Sequence, residues 1–177
     1  MQFDSHVGRM FGLVLDLSYR QDGDGKRIID AVKSELAQFA TDTLEGEDLF
    51  YLYHPEVWEP VEGVGSAVSV ISNYETDGWL INVDYAIRQT FYVVEAEDED
   101  LEQMVLFVTD RVQDKAPFRK LLLVLRKQEM NCKFVLIGVG SHYKKNVLEE
   151  VAENDNFSYI HLDSPSELQG VLLNSRS

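Results

Sequence analysis

The residues best placed for chemistry stand where the most apolar stretches of the chain stop. FGLVLDLSYR runs through Phe11–Leu15 into Asp16, with Ser18 two positions on, and MVLFVTD closes on Asp110. Two carboxylates and a hydroxyl at the ends of buried strands suit a hard cation. Mg²⁺ takes near-octahedral oxygen ligands from carboxylates, hydroxyls and water. Arg20, two residues past Ser18, opposes that use. A guanidinium is always charged and forms paired hydrogen bonds with carboxylates. At an effective dielectric of ~20 and ~4 Å it repels each unit charge of an ion by about 4 kcal/mol. Asp16, Ser18 and Asp110 are therefore candidate ligands of a weak metal site, and Arg20 either stands in for the ion or is a solvated loop arginine.

Other chemistries fit less well. Asp22-Gly-Asp24 starts like a calcium loop, but the sixth and twelfth positions are Arg27 and Lys33, where a glycine and a glutamate are needed. Gly138-Val-Gly140 follows an apolar strand, yet Tyr143 occupies the place of the third glycine of a dinucleotide loop. Asp16 as a phosphoryl-accepting nucleophile lacks its acid partner, because Ser18 stands at the second position. His6, His54, His142 and His161 have no metal-ligand spacing, although His54 and His142 both follow strands. No Gly-x-Ser-x-Gly elbow is present. Trp58 and Trp79 sit near turns, as core residues or as interaction anchors, with Trp79 assigned to the core.

Bulk properties narrow the function classes. The 177 residues suffice for one domain with a sizeable core, and 45% are hydrophobic. The formal net charge of -15 argues against nucleic acid and against anionic membrane surfaces as partners. The simplest consequence of that charge is solubility. Glu95 to Glu102 (EAEDEDLE) is a solvated acidic run, or a patch for a basic partner. One cysteine, Cys132, precludes an intrachain disulfide and fits a reducing compartment. No signal peptide or run of ~20 apolar residues is seen. The expectation is a cytoplasmic protein, and composition does not separate a cellular from a viral origin.

The elements that position these groups alternate. Strands are expected at Phe11–Leu17, Asp48–Tyr53, Ser66–Tyr74, Met104–Thr109, Cys132–Val139 and Phe157–His161. Lys26–Leu44 has apolar residues at helical spacing (Ile28, Ile29, Val32, Leu36, Phe39), and helices are also expected at Trp79–Val94, Phe118–Glu129, Lys144–Glu153 and Ser164–Leu173. Ser66–Tyr74 (SAVSVISNY) alternates and is assigned to an edge strand with one wet face, reached through a turn at Glu56–Gly65. Apolar strands alternating with amphipathic helices give an α/β, doubly wound, mostly parallel central sheet with one antiparallel edge strand and helices on both faces. Ligands of such folds sit at the carboxyl ends of the strands, where the strand order reverses. If the strands ending at Asp16 and Asp110 are neighbours, both carboxylates face one crevice.

The ordered set LVLDLS, DLFYLY, INVDYAI, VLFVTDR, FVLIGVG and VAENDNFSYIHLDSPSELQGVL resembles a von Willebrand factor type A domain over essentially the whole chain, residues 1–177. The resemblance implies a metal-ion-dependent adhesion site built from three loops: Asp-x-Ser-x-Ser, a threonine and an aspartate. There the ion takes a carboxylate from a partner protein. Asp16, Ser18 and Asp110 match that pattern. Arg20 replaces the second serine, and Ile81 stands at the threonine, with Thr76 five residues upstream.

The expected function is a non-enzymatic protein-interaction or assembly module with a degenerate metal site and no required cofactor. Its partner is a protein, and its oligomeric state is left open. Its binding loops are Asp16–Gly25, Asn73–Leu80 and Asp110–Pro117, with Asp22, Asp24, Thr76 and Asp77 as candidate contacts. Two alternatives are a module retaining a weak Mg²⁺ site and an α/β enzyme acting on a small anionic substrate.

Overall fold

A computed structural model of the chain describes residues 8–18, 27–75, 81–97, 100–125 and 132–174. Arg20, Asp22, Asp24, Thr76, Asp77 and Trp79 lie outside the described residues.

Strand β1 (Arg9–Asp16) is buried along nearly its whole length. Its alternate residues serve two cores. Phe11, Leu13 and Leu15 join one apolar cluster, and Met10 and Val14 join the other. A strand with both faces covered must be apolar throughout, which is why its sequence is a continuous run. The remaining strands are β2 (Leu49–Leu52), β3 (Val61–Glu62), β4 (Glu102–Thr109), β5 (Lys133–Val139) and β6 (Phe157–Leu162). They form one sheet in the order β3-β2-β1-β4-β5-β6. All neighbours are parallel except β2 and β3.

Helices cover both faces. Helix α1 (Ile28–Thr43) packs with α2 (Val64–Asn73) and α6 (Leu168–Asn174), the last entered through a 3-10 turn at Pro165–Glu167. Helix α3 (Val83–Glu95) lies on the opposite face with α4 (Ala116–Leu125) and α5 (Lys145–Ala152). Asn82 caps α3, its side-chain oxygen accepting the Tyr85 N–H at 3.1 Å. The helix approaches the sheet closely at Gly12, where a Cβ would come within 2.5 Å of Thr90 Cγ2. No described helix is long and apolar enough to cross a membrane.

The fold class follows the sequence expectation, including an antiparallel edge strand. The location of that strand differs. It is the two-residue β3 within the expected turn, and most of Ser66–Tyr74 belongs to α2. Val64, Ala67, Val68 and Ile71 fall at i, i+3, i+4 and i+7, and this apolar stripe packs into the core on the α1 side. The segment satisfies both periodicities, and docking against α1 and β2 selects the helix. Gly63, at φ +80°, makes the turn into it, a conformation that glycine adopts without penalty.

Candidate functional site

Strand order reverses between β1 and β4, and the two strands are paired residue for residue from Arg9↔Glu102 to Asp16↔Thr109. The chain therefore brings both aspartates to the carboxyl edge at the switch point. Asp16 is 3% exposed and Asp110 is fully buried. A buried carboxylate requires hydrogen-bond or charge partners, and each has them.

Asp16 Oδ2 accepts a hydrogen bond from Thr109 Oγ1 at 2.9 Å, and Oδ1 accepts one from Arg111 Nε at 2.7 Å. The threonine hydroxyl also accepts the backbone N–H groups of Arg111 and Val112, at 3.1 and 3.2 Å. One hydroxyl thus folds the strand exit back on itself, and that turn points the Arg111 guanidinium at Asp16. Asp110 Oδ1 accepts the Ser18 N–H at 2.8 Å, and its Oδ2 accepts the Ser18 hydroxyl. The first and third loops are joined by these contacts, and the carboxylate oxygens of both aspartates are occupied within the protein.

The structure brings together Asp16, Ser18 and Asp110 as the sequence predicts. The cation on Asp16 among the described residues is Arg111, which sequence reasoning missed. Its signal was the dipeptide Asp110-Arg111 at the strand exit, within VLFVTDR. Ile81 of the second loop is half-buried against the α3 and α4 core, a hydrocarbon contact at the expected threonine position. Among the described residues, no group of three or more His, Cys, Asp or Glu side chains is arranged to hold a metal ion.

A second polar array continues the same edge. Gly138 is in register with Thr109 on one side and His161 on the other. The Tyr143 ring occupies the space over Gly138, where a Cβ would come within 2.0 Å of it. The Tyr143 hydroxyl lies 2.6 Å from both the Tyr159 hydroxyl and His161 Nδ1, and His161 Nε2 lies 3.0 Å from Asp163 Oδ1. With His161 neutral, one donor order satisfies every atom: Tyr159 donates to Tyr143, Tyr143 to Nδ1, and Nε2–H to Asp163. Burial pushes the Tyr143 phenol above its usual range, so it stays protonated. His54 and His142 stand apart, at the exits of β2 and β5. Gln113 ties the loops after β4 and β5, donating to the Arg111 and His142 carbonyls at 3.1 and 2.8 Å.

No protein-family model matches the chain, and no curated protein is similar to it in sequence. Solved structures are similar in fold. A von Willebrand factor type A protein from Catenulispora acidiphila superposes with a TM-score of 0.72 at 15% identity, over 95% of this chain and 42% of that one. The ArnB paralog VWA2 from Sulfolobus acidocaldarius gives 0.61 at 18% identity, over 96% and 45%. BatB from Bacteroides thetaiotaomicron, described as a conserved hypothetical protein, gives 0.66 at 12% identity, over 94% and 96%. The chain thus spans less than half the length of the first two and nearly all of the third. Strand order, helix placement and this likeness together show that the chain has the fold of a von Willebrand factor type A domain.

Proposed function

We propose that the chain is a non-enzymatic protein-interaction or assembly module of von Willebrand A type, and that the metal function of its loop edge has been lost. The observation that carries this is the Arg111–Asp16 ion pair, at 2.7 Å in the place where the fold's metal site is expected. The guanidinium supplies the positive charge that an ion would supply, and Thr109 takes the other carboxylate oxygen. A hard cation asks for about six oxygen ligands. Here the second loop offers Ile81, and Ser18 is spent on Asp110. The described donors do not fit a divalent ion without breaking contacts already made. The described loop after β4, with Ser18 held on Asp110, then presents a surface that a partner can bind without a bridging metal.

A second function, a weak Mg²⁺-dependent binder, is favoured by the convergence of Asp16, Ser18 and Asp110 at one strand-order reversal. Melting curves in EDTA and in millimolar Mg²⁺ or Mn²⁺ separate the two. An ion at ~100 times its dissociation constant stabilises by about 2.7 kcal/mol. The expected outcome is no shift in the wild type, with a metal-dependent rise appearing in Arg111→Ser. A rise in the wild type would establish the Mg²⁺-dependent module instead. Arg20→Ser, melted alongside, tests whether that arginine also opposes the ion. Partner capture should be insensitive to EDTA and lost on Asp114→Lys, a charge reversal on the exposed loop after β4.

A further inference from the structure

An exposed aromatic groove lies between the loop after β2 and the outer face of α3. It has a volume of about 330 Å³ and is lined by Trp58, Pro60, Tyr85 and Tyr92, among others. Trp58 is 58% exposed, Tyr85 42% and Tyr92 49%. Three large rings left in water on one small surface are unusual, because aromatic burial dominates core energetics.

The loop that carries Trp58 is held in place. The Tyr51 hydroxyl donates to the Val57 carbonyl at 2.9 Å, and buried Gln89 of α3 donates to that hydroxyl at 3.1 Å and to the same carbonyl at 3.4 Å. An antiparallel bridge between His54 and Val57 closes the turn. Two buried polar side chains therefore clamp the residue next to Trp58 to both the sheet and the helix. This arrangement fixes an exposed tryptophan on a preformed wall, which lowers the ordering cost of binding.

The rim decides what the groove would hold. Glu59 and Glu97 line it, and neither has an ion-pair partner among the described residues. Arg88 also lines the groove, but its charge is taken by Asp84 at 2.9 Å, and Lys120 reaches the same carboxylate at 3.6 Å. The unpaired charge at the groove is negative, on a chain of net charge -15. Ring faces beside free carboxylates recognise a guanidinium twice over, by cation–π contact with the rings and by paired hydrogen bonds to the carboxylate. We infer that this groove is a docking site for an arginine-bearing peptide segment of a partner protein. The surface uses none of the residues of the Asp16–Asp110 edge, so the two proposals fail independently.

The test is fluorescence anisotropy with labelled octapeptides of alternating serine and arginine, lysine or glutamate, on the full chain. The expected order is arginine over lysine, with no binding of the glutamate peptide. Trp58→Ala should weaken the arginine peptide about tenfold or more, as hot-spot tryptophans do. Glu59→Lys with Glu97→Lys should weaken it at least as much, and the affinity should fall as salt is raised. Arg111→Ser should leave it unchanged. Circular dichroism of each variant checks that these exposed positions leave the fold intact. Equal binding to wild type and Trp58→Ala would reduce the effect to diffuse attraction by an acidic protein and overturn the site. Absence of arginine-peptide binding would also overturn it. So would a wild-type dimer in sedimentation equilibrium that Trp58→Ala dissociates, since a second copy would then cover the groove.

Discussion

Removing the Arg111 side chain should destabilise the domain and do so through Asp16. Arg111→Ala leaves the Asp16 carboxylate, whose side chain is 4% exposed, with Thr109 as its remaining described side-chain partner. Removing one member of a buried ion pair costs about 3–5 kcal/mol, because the other charge remains buried and unpaired. The Arg111 side chain is 21% exposed, which places the loss near the lower end, about 3 kcal/mol. At about 2–4 °C per kcal/mol for a domain of this size, the melting temperature should fall by about 6–12 °C. Urea unfolding of wild type, Arg111→Ala, Asp16→Asn and the double variant gives the coupling energy directly. A coupling above about 1 kcal/mol is expected, since Asp16→Asn removes the charge that makes the loss of the guanidinium expensive. A loss below about 0.5 kcal/mol, as at an ordinary surface position, would refute this account. An equal loss in the Asp16→Asn background would refute it too, by showing that Arg111 acts through packing.

Three further predictions follow from other parts of the structure. Asp48 is fully buried at the opposite end of β1, where burial pushes its carboxyl up, but hydrogen bonds from the Arg9 side chain and the Glu45 N–H hold it below the usual carboxylate range. Its stabilisation is therefore present above the unfolded carboxyl value of about 3.9 and lost as pH falls through the folded value. Asp48→Asn should cost about 3–5 kcal/mol at pH 7 and flatten the acid limb of the stability curve; an unchanged acid limb in urea melts would count against it. Cys132 is 3% exposed and burial pushes its thiol up to about 12, so at pH 8 a thiol reagent should react only as fast as the domain opens, and a fast burst in native buffer would contradict its burial. Gly138→Ala drives a methyl into the Tyr143 ring, which two hydrogen bonds hold in place, and should cost about 3 kcal/mol, with partial recovery on adding Tyr143→Leu. An alanine tolerated without loss would mean the ring moves freely.

The doubly wound architecture and the meeting of Asp16 with Asp110 were legible in the chain. Both depend on local features: continuous apolar runs that mark strands covered on both faces, and aspartates placed where those runs end. Helix α1 was equally plain, because its stripe of Ile28, Val32, Leu36 and Phe39 has only one periodic interpretation. Residues 64–73 were not, because SAVSVISNY supports period 2 and period 3.6 alike. The array of Tyr143, Tyr159 and His161 was also hidden. Its members come from a loop and a strand, and the empty space over Gly138 that admits the Tyr143 ring exists only once β5 is in the sheet.

The apolar strands that run out at Asp16 and Asp110, and the oxygen-bearing side chains at those ends, are legible in the chain alone, because continuous apolar runs and the aspartates that close them are properties of neighbouring residues. What those aspartates touch depends on how the strands pair and pack. Arg111 reaches Asp16 because β1 and β4 pair side by side and the Thr109 hydroxyl bends the chain after β4 back onto itself. Trp58 faces water because Tyr51 and Gln89, from a strand and a helix far apart in sequence, clamp the carbonyl beside it. Contacts of that kind close long loops, and no short stretch of residues specifies them.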